Sequence, residues 1–255
     1  MTNRAVLVTG SSRGLGRAIA ARFAAGGDRV AVHHRDSAEM AESLVAELPG
    51  SGHVVVQAEM ADPEGVRAMV DDAAARLGGL DVLVNNAGVY GRQRGGTLVD
   101  ADYATWREVW RQTFDVNLFG AANASWAAIR HLRDNGPSGG RIINVSSRGA
   151  FRGEPEQPAY GASKAAMNAM GQSLAVALAP YGIAVATVAP GFIATDMAGE
   201  LLAGELGDAI RAQSPYRRVA QPDEVAAAVH WLASAEAQWA SGAILDMNGA
   251  SYLRT

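Results

Sequence analysis

The chain has 255 residues, a formal net charge of -4 and no cysteine. That length buries a sizeable core, the mild acidity argues against a nucleic-acid partner, and the lack of thiols excludes disulfides, thiolate metal sites and a thiol nucleophile, which leaves the cytosol as the expected location. Hydrophobic residues make up 49% and charged residues 19%, the balance of a globular chain rather than a disordered one, and no apolar run approaches the length of a signal h-region or a membrane span.

The run AVLV (5–8) opens a series of short, unbroken apolar stretches: RVAV (29–32), HVVVQA (53–58), LDVLV (80–84), RIINV (141–145), IAVATVA (183–189) and AILDM (243–247). None alternates with polar residues, and continuous apolarity marks strands buried on both faces, as in a parallel sheet covered by helices. Segments of helical length lie between them, among them GRAIAARFAA, AEMAESLVAEL, PEGVRAMVDDAAARL and DEVAAAVHWLA. Pro63 and Pro222 start two of these, each followed by acidic residues suited to a helix N-terminus. Strand and helix in alternation predict right-handed βαβ units in an open sheet. No linker, charge run or repeat divides the chain, so a single α/β domain spanning 1–255 is expected.

TGSSRGLG (9–16) follows the first strand and opens a helix. Gly10 permits a tight turn, Gly14 lets a phosphate approach the backbone, Gly16 allows close helix-to-strand packing, and free amides at the helix start favour an anion. The second strand runs to His33, His34 and Arg35, with Asp36 one step later. An acidic residue at that tip holds a ribose 2'-hydroxyl and a positive charge holds a 2'-phosphate, so NADP is expected over NAD, with Arg13 and Arg35 flanking the phosphate. The bland alternative is a pair of solvated arginines at a helix mouth.

Two long irregular stretches, 88–102 and 147–158, follow the carboxyl ends of predicted strands, the edge where open α/β sheets bind ligands. They carry Arg92, Arg94, Arg148 and Arg152, which raises an acidic or carrier-borne substrate, although an arginine-rich chain makes that grouping unremarkable. Trp106 and Trp110, four apart on a predicted helix, are expected to pack there, and the histidines lack metal-ligand spacing such as His-Glu-x-x-His, so no metal is expected.

Of 22 Lys and Arg residues Lys164 is the only lysine, and it lies in AYGASKAAM (159–167). Behind Pro158, a good first-turn residue, Tyr160 and Lys164 are four apart on one helix face, about 5–6 Å between Cβ atoms. A free phenol titrates near about 10, and a neighbouring ammonium is expected to lower that value toward neutrality. An ammonium is also a compact charge with three donors, where a guanidinium is planar and bidentate.

With these residues in view, the chain resembles the short-chain dehydrogenase/reductases, in the single-domain branch, from Val6 to Gly249. Five motifs agree in order and spacing: TGSSRGLG, NNAG (85–88), VNLFG with Asn117, Tyr160-x-x-x-Lys164, and PGFIATDM (190–197). The resemblance implies a Rossmann-type doubly wound, mainly parallel, seven-stranded sheet with helices on both faces. It implies a catalytic set of Asn117, Ser147, Tyr160 and Lys164, with Ser147 rather than Ser146 chosen by the thirteen-residue spacing to the tyrosine. For the cofactor it implies Gly10, Ser12, Arg13, Gly14, Leu15 and Gly16 at the phosphates, His34 and Arg35 at the ribose, Glu59 and Met60 beside adenine where many relatives carry Asp-Val, Asn86, Ala87 and Gly88 along the floor, Tyr160 and Lys164 at the second ribose, and Pro190, Gly191, Ile193 and Thr195 at the nicotinamide. Ala189 stands where asparagine is frequent before the Pro-Gly.

The expected reaction is reversible hydride transfer between NADP(H) and a small-molecule carbonyl or secondary alcohol. A 3-oxoacyl-thioester reductase matches the whole chain well and a polyol or other secondary-alcohol dehydrogenase nearly as well, while an NADP-sensing binding protein is the non-enzyme alternative. Residues 89–102, 148–158 and 192–218 are expected to read the substrate, the last as a mobile lid. The helices carrying Asn117 and Tyr160 are expected to form a subunit interface in a homodimer or homotetramer, with no nucleic-acid or membrane partner.

Overall fold

A computed structural model describes residues 3–90, 100–133, 135, 139–195, 199 and 202–254. The predicted apolar runs become β1 (Ala5–Val8), β2 (Arg29–His34), β3 (Val54–Gln57), β4 (Val82–Asn85), β5 (Arg141–Val145), β6 (Ala184–Pro190) and β7 (Ile244–Met247). They form one sheet in the order β3-β2-β1-β4-β5-β6-β7, with every pair parallel.

Each strand is joined to the next through helical structure: α1 (Gly14–Ala25), α2 (Ala38–Glu47), α3 (Pro63–Leu77), α4 (Tyr103–Phe114), α5 (Ala121–Leu132), α6 (Gly149–Arg152), α7 (Pro158–Leu178), α8 (Gly207–Ala212) and α9 (Pro222–Leu232). The unbroken apolarity of the strands has a direct cause. In β1, Ala5 and Leu7 enter a core shared with α3, α5 and α7, whereas Val6 and Val8 enter a second core with α1, α2 and α9. Successive side chains on a strand point to opposite faces, so both must be apolar when helices cover both sides. Each large side chain so buried contributes about 1.5–3 kcal/mol.

The helix starts follow the local chemistry of the chain. Asp62 accepts a hydrogen bond from the Glu64 amide ahead of α3, whose end is closed by Gly78 at φ 74°, the left-handed conformation that glycine adopts at least cost. Gln221 and Glu224 form a reciprocal capping box at the start of α9, satisfying amides that the first turn leaves free. By contrast, Arg13 gives α1 no side-chain cap, so the first amides of that helix are left for another acceptor.

Trp106 and Trp110 pack ring to ring on α4, 5.4 Å between centroids, as expected. Asn117 departs from the expectation of a regular helix: it lies in a π-helical turn, Asp115–Gly120, between α4 and α5, a distortion frequent at functional positions. The irregular stretch 147–158 contains the short helix α6, while 91–99, with Arg92 and Arg94, lies outside the described residues, as do 196–198, 200 and 201 of the expected lid. No helix among the described residues is long and apolar enough to cross a membrane.

The chain runs β1 to β3 toward one edge and then returns to place β4 on the other side of β1. At such a reversal the connections leave in opposite directions and open a crevice at the carboxyl ends of the strands.

Candidate active site

A cavity of about 590 Å³ fills that crevice. Its inner end is the glycine turn. Gly10 and Gly14 have φ of 64° and 56°, and a Cβ on Gly16 would stand 2.2 Å from the Gly10 carbonyl oxygen and 2.6 Å from Asn86 Nδ2. Only glycine permits that approach of helix to strand. Thr9 Oγ1 accepts from the amides of Asn86 and Ala87, and Asn86 Nδ2 donates to the carbonyls of Thr9 and Gly10. The NNAG stretch therefore braces the turn from β4, while Asn85 Nδ2 reaches Ser125 on α5 and Asn144 on β5.

Gly10, Ser12, Arg13, Gly14, Leu15 and Gly16 line this end of the cavity, followed by His34, Arg35, Glu59 and Met60 from β2 and the end of β3. Asn86, Ala87 and Gly88 form part of the wall, and Pro190, Gly191, Ile193 and Thr195 line the far side. Arg35 donates to Asp36 and lies 3.7 Å from Glu59. That hydrogen bond and the Asp36 charge raise its pKa above the ordinary guanidinium value. Buried His34 keeps its Nδ1 without a hydrogen-bond partner among the described residues.

His33 faces inward rather than standing at a solvated tip. Its Nδ1 accepts from the Gly10 amide at 2.8 Å and its Nε2 lies 3.1 Å from the Ala58 carbonyl, which assigns the proton to Nε2. Burial lowers its pKa to about 4, so the ring is neutral and ties the glycine turn to β2 and β3. Sequence reading missed this bracing role, and only its position inside an apolar strand hints at it.

At the reaction end, Lys164 is 3% exposed and its ammonium donates to the Val145 carbonyl at 2.8 Å. It lies 5.8 Å from the centroid of the Tyr160 ring. The expected lowering of the phenol pKa does not occur in this chain alone: burial pushes Tyr160 up to about 12 and Lys164 down to about 8, and a Ser147 hydrogen bond only partly opposes the first of these shifts. Desolvation disfavours the charged form of each group and outweighs their mutual influence at this separation.

The two serines divide as strand geometry requires. Ser146 Oγ donates to the Lys164 carbonyl, while Ser147 bonds the Tyr160 side chain and accepts from the Gly149 amide. Asn117 stands behind the cavity wall: its Oδ1 accepts from Val89, its Nδ2 donates to the Val89 carbonyl and to Ser163, and a Cβ on Gly88 would lie 3.3 Å from Asn117 and 3.5 Å from Lys164. The structure thus gathers Ser147, Tyr160 and Lys164 in one cavity, with Asn117 behind Gly88.

Of the four loop arginines, Arg92 and Arg94 lie outside the described residues, and the other two are engaged by groups of the protein itself. Arg148 is 4% exposed, donates to Ser251 and Gln213, and stacks over Phe192, while Arg152 also donates to Gln213. Arg148 is consumed in joining α6 to the chain after α8 and to the carboxyl-terminal segment. Residues that sequence reading passed over include Tyr90, whose ring meets Tyr160 edge-on at 4.9 Å, and Glu154, a partly buried carboxylate lining the same end. Both fall in the stretches expected to read substrate, but nothing local marks them out.

Known proteins match the chain along nearly its whole length. A family profile described as enoyl-(acyl carrier protein) reductase matches residues 10–249. The chain is 38% identical over 253 residues to a 3-oxoacyl-(acyl-carrier-protein) reductase of Staphylococcus aureus, covering 98% of each chain. It is 34% identical to glucose 1-dehydrogenase 2 of Bacillus subtilis, covering 99% of this chain and 96% of that protein. A short chain dehydrogenase from Burkholderia cenocepacia, solved in complex with NADP, superposes with a TM-score of 0.87 at 39% identity, covering 98% of each chain.

Proposed function

Because the chain belongs to the short-chain dehydrogenase/reductase family of oxidoreductases, we propose that it interconverts a carbonyl and a secondary alcohol, with NADP(H) as cofactor and Ser147, Tyr160, Lys164 and Asn117 as its working residues. The observation that carries this reading is the gathering of Ser147, Tyr160 and Lys164 in one cavity that also contains the glycine turn.

The cavity suits the cofactor on its own residues. The cradle at Gly16 would be filled by a Cβ, the α1 amides lack a side-chain cap, and buried His34 has a nitrogen without a partner among the described residues. Arg13 has no ion pair among the described residues and lines the same cavity as Arg35, which is paired with Asp36; two guanidinium groups in that cavity favour a 2'-phosphate. When bound, the nicotinamide supplies or accepts the hydride.

Ser147 donates to the substrate oxygen, where negative charge grows in reduction. The Tyr160 phenol transfers its proton to that oxygen and recovers it in the reverse direction. Lys164 brings a desolvated ammonium to 5.8 Å from the centroid of the Tyr160 ring, where its charge favours the phenolate left when the proton is transferred. Asn117 holds the Val89 backbone beside Gly88 and links through Ser163 to the Tyr160 carbonyl.

Assembly into a dimer or tetramer is part of the same proposal. Phe119, Trp126 and Val176 are exposed on the π-helical turn, α5 and α7, surface better covered by a second copy; sedimentation showing only monomer would refute it. The activity itself is tested by following NADPH oxidation at 340 nm against 3-oxoacyl thioesters, cyclic ketones, keto sugars and diketones. Turnover that falls by about 10²–10⁴ in Tyr160→Phe supports it, and bound NADPH without turnover of any carbonyl overturns it in favour of a sensing role.

A further inference from the structure

At the reaction end of the cavity Glu154 is the carboxylate beside Tyr160, and its charge acts on that phenol. The nearby cations do not neutralise it by contact: Arg148 is held by Ser251 and Gln213, and Arg152 by Gln213. The Glu154 carboxylate has no hydrogen bond or ion pair among the described residues, although burial raises its pKa. Its position is set by two glycines: a Cβ on Gly149 would lie 2.4 Å from Glu154 Oε1, and one on Gly161 would lie 3.7 Å from its Cβ. The side chain is therefore packed against the starts of α6 and α7, with Tyr90 and Phe192 supplying apolar walls nearby.

A carboxylate accepts hydrogen bonds and donates none when ionised, and this one lines the cavity with its acceptors not taken up by any described residue, so a donor on a bound molecule can reach it. We propose that Glu154 determines specificity by accepting a hydrogen bond from a hydroxyl next to the reacting carbon, so that the substrate is an α-hydroxyketone and the product its vicinal diol. This rests on the reductase reading above. In the reaction the carbonyl carbon gains a hydride from NADPH and the oxygen gains a proton through Tyr160, giving diol and NADP⁺. A 3-oxoacyl thioester brings acceptors and methylenes to this position and no donor, and an anionic group beside the carbonyl would be repelled.

The test compares kcat/KM for 1-hydroxybutan-2-one with that for pentan-3-one, which replaces the hydroxyl by a methyl, and for an acetoacetyl thioester. The wild type is expected to favour the hydroxyketone at least about tenfold, since a site built to bond a hydroxyl rejects the analogue lacking it. In Glu154→Leu that preference collapses by about tenfold or more. Glu154→Gln, whose amide oxygen still accepts, loses about threefold and decides the matter if the leucine variant does not fold. Fluorescence titration with NADPH establishes that each variant is intact. No preference in the wild type, or equal losses on hydroxyketone and pentan-3-one in the variants, overturns the proposal while the reductase reading stands. A wild type that reduces none of these carbonyls, nor any other, overturns both.

Discussion

Lys164 Nζ donates to the Val145 carbonyl at 2.8 Å while lying 19 residues away along the chain and almost wholly out of contact with water. Burial holds its pKa near about 8, below the ordinary value of about 10.4. The unfolded chain therefore holds the extra proton between pH 8 and about 10.4, so stability rises with pH across that window and the cost of the buried ammonium is complete below it, about 3 kcal/mol. A protein labelled at lysine with ¹⁵N gives one side-chain resonance, and that resonance should titrate near pH 8 in the cofactor-free protein. A midpoint above 10 would mean the ammonium is solvated. Lys164→Met should be more stable than the wild type at pH 7 and nearly inactive, while Lys164→Arg should fold and lose most turnover.

His33 gives an acid-sensitivity of its own. Its pKa falls from 6.5 unfolded to about 4 folded, so the unfolded chain binds the proton first and stability drops as pH falls from 6.5 to 4, by about 3 kcal/mol. Protonation of Nδ1 would also set two donors against each other at the Gly10 amide. Urea titrations between pH 4 and 7 should show a shallower pH slope for His33→Asn than for the wild type; identical slopes would place the acid sensitivity elsewhere.

Gly16→Ala should damage both stability and the phosphate end of the cavity. The added Cβ would meet the Gly10 carbonyl oxygen at 2.2 Å and Ser11 Cα at 2.8 Å, backbone contacts that no rotamer relieves. Overpacking of this kind costs about 1–3 kcal/mol, seen as a thermal midpoint several degrees lower, and NADPH titration should show weaker binding. Unchanged binding would mean the glycine turn does not hold phosphate.

Cofactor preference should depend on Arg35 and its neighbour. Asp36 engages the guanidinium, so Asp36→Ala should tighten NADPH binding by freeing it, and Arg35→Ala should weaken NADPH binding about tenfold, a hydrogen bond to a charged group being worth about 1.5–3 kcal/mol less solvent screening. NADH should respond far less to either change. Equal responses of both cofactors would remove the argument for a 2'-phosphate.

Much of this molecule is legible from local pattern. The strands are announced by unbroken apolar runs because β1 feeds Ala5 and Leu7 to one core and Val6 and Val8 to the other. Gly10 and Gly16 are readable because backbone geometry allows no other residue there, and Tyr160 with Lys164 because helix spacing alone puts them on one face. The π-helical turn around Asn117 left no such signature, and the partners that Asn117 bonds, Val89 and Ser163, lie 28 and 46 residues away.

The sequence by itself determined the seven strands, the helices between them and the placing of Tyr160 and Lys164 on one helix face, because each depends on periodicity or on the steric limits of a few adjacent residues. Only the tertiary structure decided that His33 turns inward to brace the glycine turn, that Arg148 is bound to Ser251 and Gln213, and that Glu154 lines the cavity with Tyr160 without a hydrogen bond or ion pair among the described residues. Those outcomes depend on which distant groups reach a charge first and on how much water folding removes from it, and neither is written in the residues on either side.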